Sequence, residues 1–112
     1  MAEIATWEIE LVEGDDFERF ITAQDESQQV IDLTGYSSSM KFYDKKGSST
    51  PDLECSTANG KITIDGPGGQ IQILIDSDDI ASLPWTRGYH EWKMTDSLGK
   101  TTTWTKGPVK VV

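Results

Sequence analysis

The sequence predicts an all-β protein, an antiparallel sandwich of about eight strands with one short helical turn. Three observations carry that expectation. Apolar residues recur at every second position in segment after segment, whereas helical spacing is sustained in one short stretch only. Clusters of Gly, Pro, Asn, Asp and Ser interrupt those segments at short intervals, as turns do. Four Trp, three Tyr and three Phe supply large buried areas to a chain whose hydrophobic residues make up only 36%.

The elements follow in order. Over residues 6–12, Trp7, Ile9 and Leu11 alternate with Thr6, Glu8 and Glu10, which is the pattern of a half-buried strand. Glu13-Gly14-Asp15-Asp16 supplies a turn, and residues 17–23 resume the alternation with Phe17, Arg19 and Ile21 on one side. Glu18, Phe20 and Thr22 take the other side, so the pattern turns Phe20 outward. A polar loop over 25–29 leads to the apolar phrase Val30-Ile31-Asp32-Leu33. Residues 37–43 put Met40 and Phe42 on one face and Lys41 and Tyr43 on the other. After a polar connector, residues 52–56 read as a short edge strand. Residues 61–65 and 70–75 are the strongest strands, joined as a hairpin by Gly66-Pro67-Gly68-Gly69. The helical turn falls within 76–83, capped by Ser77 or Asp78 and stopped before Pro84. Residues 88–96 set His90, Trp92 and Met94 against Tyr89, Glu91 and Lys93. A final strand runs over 101–105 and 109–112, bent where Gly107 and Pro108 are expected to interrupt its ladder. This succession is that of an immunoglobulin-like sandwich. Its expected core includes Trp7, Ile9, Leu11, Ile21, Leu33, Met40 and Phe42, then Ile62, Ile64, Ile71, Ile73, Trp92 and Val109.

With 112 residues, the chain is expected to form a single domain over 1–112. Nineteen acidic residues against ten basic ones leave a net charge of −9, which argues against a nucleic-acid partner. Cys55 is the lone cysteine, so no internal disulfide staples the fold and no oxidising compartment is required. It reads as a small apolar side chain, buried or half-buried. No basic segment followed by an apolar run opens the chain, and no stretch has membrane-spanning length. The expectation is therefore a product made in the cytosol, with no membrane partner.

The phrases Gly14-Asp15-Asp16-Phe17, Val30-Ile31-Asp32-Leu33-Thr34-Gly35-Tyr36 and Gly60-Lys61-Ile62-Thr63-Ile64 follow one another along the chain. Ile71-Gln72-Ile73-Leu74-Ile75, Gly88-Tyr89, Asp96-Ser97-Leu98-Gly99 and Gly107-Pro108-Val109-Lys110-Val111 continue them. Together they resemble the small β-sandwich of tail-fibre collar proteins and baseplate or tail adaptor proteins of tailed bacteriophages. The resemblance implies a virion structural protein of the tail, assembled in the host cytoplasm. Its copies would form a ring or sleeve and attach tail-fibre or receptor-binding proteins. Longer members carry further domains, and with none after Val112 the resemblance suggests a stand-alone connector. It implies no catalytic residues.

Candidate chemistry is sparse. His90 is the only histidine, and its place beside Trp92 and Met94 reads as a packed or rim residue with its polar edge satisfied. Ser37-Ser38-Ser39 lacks the nucleophile-elbow pattern. Asp76, Asp78 and Asp79 begin like a calcium loop but lack its central Gly and distal Glu, and helix capping accounts for them. Gly66 to Gly69 precedes a strand, whereas a phosphate loop opens a helix. No enzymatic activity, cofactor or metal is therefore expected. Protein contacts are the expected function, with Phe20, Trp85 and Trp104 as aromatic anchors. Val109, Val111 and Val112 read as an open terminal edge strand, and residues 2–5 as a segment free to lie on a neighbour. The alternative is a carbohydrate-binding sandwich that stacks sugar rings on Trp85 and Trp104.

Overall fold

Each stretch of period-two alternation becomes a strand because burying every second side chain leaves the intervening polar ones in water. The computed structural model describes residues 5–112. Nine strands and one helix lie among them: β1 (Ala5–Thr6), β2 (Ile9–Leu11), β3 (Phe17–Thr22), β4 (Ser37–Tyr43) and β5 (Leu53–Ser56). Then come β6 (Ile62–Asp65), β7 (Gln70–Ile75), α1 (Ser77–Ala81), β8 (Arg87–Thr95) and β9 (Thr101–Val111). The larger sheet has the order β1-β9-β8-β4-β5, with β2 also paired to β9, and the smaller has the order β3-β7-β6. The chain passes between the sheets after β2, β3, β5 and β7, the interlocking path of an immunoglobulin-like β-sandwich.

The sandwich departs from a wholly antiparallel one in one respect. Both β1 and β2 run parallel to β9, with Ile9 opposite Val109 and Leu11 opposite Val111. Most of the chain separates these partners, so no tight turn dictates their direction. Tryptophan 7 lies between the two short strands, where its N–H donates to the Lys106 carbonyl at 3.1 Å. A Cβ on Gly107 would stand 2.6 Å from the Trp7 carbonyl oxygen, so only glycine lets β9 approach so closely.

The expected break at Gly107 and Pro108 does not occur. They pair with His90 and Tyr89, and β9 runs through them. The ladder shifts instead where Trp92 faces Thr105 but Lys93 faces Thr103, leaving Trp104 as the extra residue of a bulge. Pro108 is tolerated because the strand's other hydrogen-bonding side meets only the short β1 and β2.

Between the sheets, Leu11, Met40, Phe42, Ile71, Ile73 and Ile75 are fully buried, with Ile9, Leu33, Ile62, Trp92 and Val109 nearly so. Trp7, Ile21 and Ile64, also expected in the core, are half-buried at its margin. Phe17, Cys55, Ile80 and Met94 join the core as well. Met94 is the next inward position after His90 and Trp92 on β8, and Ile80 is the one buried residue of α1.

The helix cap lies one residue before the expected pair. Asp76 is extended, and its Oδ1 accepts the Asp79 N–H at 3.0 Å. An Asp76→Ala variant should lose about 1 kcal/mol, read from the urea midpoint, while Asp76→Asn should stay close to wild type. Equal losses in both variants would count against capping as the role of this side chain.

Candidate functional site

The residues with the best chemistry are used by the fold. His90 is fully buried, with Nδ1 3.0 Å from the Gly107 carbonyl oxygen and Nε2 3.1 Å from the Thr105 hydroxyl. Because a carbonyl only accepts, Nδ1 carries the proton, and Nε2 accepts from Thr105. Burial lowers the His90 pKa to about 4, although the Gly107 hydrogen bond opposes the shift. The ring is neutral at pH 7 and has no free nitrogen to offer a substrate. Cys55 is equally closed off, with burial raising its thiol to about 12.

The acidic residues near α1 also have structural partners. Asp76 caps the helix, Asp79 pairs with Lys61, and Asp16 accepts the Ser77 N–H at 2.8 Å. Among the described residues no three His, Cys, Asp or Glu side chains converge as metal ligands would. In the phrase around Ile31 to Tyr36, Asp32 accepts from the Thr34 hydroxyl and N–H, which together hold its carboxyl below the usual range. Leu33 then donates to the Gly66 carbonyl at 2.7 Å, so this phrase ties its turn to the β6–β7 hairpin.

The two exposed-aromatic candidates differ from expectation. Trp85 is half-buried, packs against the core and donates from Nε1 to Asp52 at 2.8 Å. Trp104 is half-buried too, edge-on to Trp92 with centroids 5.7 Å apart. The bulge directs it there. Trp85 lies against Gly88 at the start of β8, whereas Trp104 shares a groove with Met94 near its end. At ~3.3 Å per strand residue these positions are about 20 Å apart, so they form no common sugar platform.

The terminal edge is also different. Val109 is only 1% exposed and belongs to the core, while Val111 is half-buried against it. Val112 is exposed, but its N–H donates to Leu11 and its carbonyl accepts from Glu13, both at 2.8 Å. Since β9 is flanked on both sides, these valines offer no open ladder. Of residues 2–5, only Ala5 lies among the described residues, and it pairs with Thr105.

Phe20 remains. It is 67% exposed on the outer face of the smaller sheet, opposite Gln72, with the partly exposed Leu74 on the same face. Gln72 donates to Glu18 at 2.7 Å beside it. Arg19, pointing toward the core side of the open strand β3, lays its guanidinium over the Phe17 ring at 4.5 Å. An inward charge of this kind protects an edge from pairing, which leaves the face rather than the edge as the usable surface.

No protein-family model matches the chain, and no curated protein matches it. Solved structures do match. One is Drosophila OTK, extracellular domains 3–5, at 9% identity and a TM-score of 0.38. That match covers 94% of this chain and 33% of the other, so this chain spans about a third of that structure.

Register creates one further feature. On the outer face of the larger sheet, Glu54, Lys41, Glu91 and Lys106 stand side by side on β5, β4, β8 and β9. A shallow groove of about 360 Å³ lies over part of this row. Alternation turns Lys41 and Glu91 outward in the sequence, but nothing local places them opposite one another.

Proposed function

We propose that this chain is a non-catalytic assembly protein of a bacteriophage tail, a collar or adaptor component. Its copies associate with one another and hold tail-fibre or receptor-binding proteins in the virion. Two lines support the reading. The phrases that resemble collar and adaptor sandwiches run through nearly the whole chain, and His90 and Cys55, the groups best suited to covalent or acid–base chemistry, are sealed in the core. The observation that carries the docking role is Phe20, a large aromatic held in water on a sheet face. Aromatics at the centre of an interface contribute much of its affinity.

The test is capture of the phage's own tail-fibre proteins by the purified chain. Phe20→Ala should weaken capture at least about ten-fold, the effect of losing one interface anchor. Its melting temperature should stay near wild type, because the ring is already solvated. Capture unaffected by the substitution, or no capture by the wild type, would overturn the reading.

A carbohydrate-binding reading has one observation in its favour. Trp104, Tyr36 and Ile31 line a groove of about 330 Å³ together with Asp96, Lys100 and Thr102. Saturable quenching of tryptophan fluorescence by a soluble glycan, lost in Tyr36→Ala, would favour it over fibre attachment.

A further inference from the structure

We propose that the outer face of the larger sheet is a contact between two copies of this chain. The copies sit face to face about a two-fold axis running along the strands, between β4 and β8. The proposal deepens the assembly reading by naming a surface of self-contact, and it rests on that reading in requiring copies to associate.

The row Glu54, Lys41, Glu91, Lys106 alternates in sign across four adjacent strands. Among the described residues, the ion pair within bonding distance is Lys61–Asp79, and none of these four charges is paired there. Glu54 accepts a hydrogen bond from Ser39 at 3.1 Å and retains its charge for a partner. An alternating row of four is complementary to its own reversed copy. Rotation about an axis along the strands puts Lys41 against the second copy's Glu91, and Glu54 against its Lys106. Both contacts occur twice, as two-fold symmetry requires. Rotation about an axis along the row would instead place every charge against itself, so the pattern selects one orientation.

Neighbouring rows agree with that orientation. Tyr43 and Tyr89 are cross-strand partners, and the rotation brings Tyr43 of each copy against Tyr89 of the other. Lys93, beside Ser39 in the next outward row, comes to face that serine and meets no second cation. Overall charge points the same way. Most surfaces of a chain with net charge −9 repel their own copies, but these rows carry Lys41, Lys93 and Lys106 against Glu54 and Glu91. The face is thus slightly positive in an acidic protein, and like-charge repulsion is relieved there. Its shallow groove leaves room for long side chains from the opposing copy.

Sedimentation equilibrium of the full chain tests the proposal, with melting temperature monitoring the fold. Wild type should reach a dimer that weakens as salt rises. Lys41→Glu or Glu91→Lys alone should weaken the dimer on the order of ten-fold, since each sets two like-charged contacts across the axis. The double variant Lys41→Glu/Glu91→Lys makes those contacts opposite again and should recover most of the loss. Phe20→Ala, on the other sheet, should leave the dimer unchanged.

A wild type that stays monomeric at millimolar concentration would overturn the proposal, as would a double variant no better than the single ones. Self-association that responds to Phe20→Ala but not to the charge reversals would also overturn it, while sparing the assembly reading. Fibre capture by a monomer would leave only the docking half of that reading.

Discussion

Replacing Trp92 with alanine is expected to cost about 3–5 kcal/mol, a large part of the stability of an ordinary small domain. The side chain is 2% exposed and holds the aromatic cluster together, with ring centroids 6.2 Å from Trp7 and 5.7 Å from Trp104. Its Nε1 donates to the buried Ser38 hydroxyl at 2.6 Å, and that hydroxyl donates onward to the Lys93 carbonyl. Truncation therefore opens a cavity at the bulge and removes a donor from a buried polar atom. Urea denaturation provides the measurement. Trp92→Phe retains most of the volume and should lose distinctly less than Trp92→Ala. A loss below about 1 kcal/mol for the alanine variant would place Trp92 outside the core, since surface substitutions fall in that range.

Acidification should reveal His90. Its pKa is near 6.5 in an unfolded chain and about 4 in the folded one, because burial disfavours the imidazolium. Above pH 6.5 both states are neutral, and the full contribution of the buried neutral ring is present. As pH falls below that value the unfolded chain takes up a proton that the folded one refuses, so stability declines. Near pH 4 the folded state binds it too, and the decline levels off. The interval corresponds to about 3 kcal/mol at ~1.4 kcal/mol per pKa unit. Unfolding free energy measured between pH 7 and 4.5 should show this slope, and His90→Gln should flatten it. A wild-type slope equal to that of the variant would mean that the ring protonates freely in the folded protein.

The local features of the fold were legible in the sequence because their causes are local. Ile71, Ile73 and Ile75 announce a strand by alternation alone, and Gly66 to Gly69 announce a turn between two such runs. The same logic put His90 on one face with Trp92 and Met94 and turned Phe20 outward, although alternation alone did not distinguish a core place for His90 from one at the rim. Helix capping was within one residue, because several neighbouring acids and a serine satisfy the same local preference and only backbone conformation distinguishes them.

Pairing partners were not legible, and most of the candidate surface depends on them. Val109, Val111 and Val112 resemble an open edge until β1 and β2, from the far end of the chain, run parallel alongside. Trp104 resembles an exposed anchor until the bulge against Trp92 and Lys93 turns it onto the core. Lys41 and Glu91 become neighbours only through the register of β4 with β8. Alternation along one strand determines which side chains are buried, by a rule of period two that needs no partner. Which strand lies beside it, and at what register, is chosen by how two complete faces pack, so the edges, the bulge and the charged row belong to the tertiary structure alone.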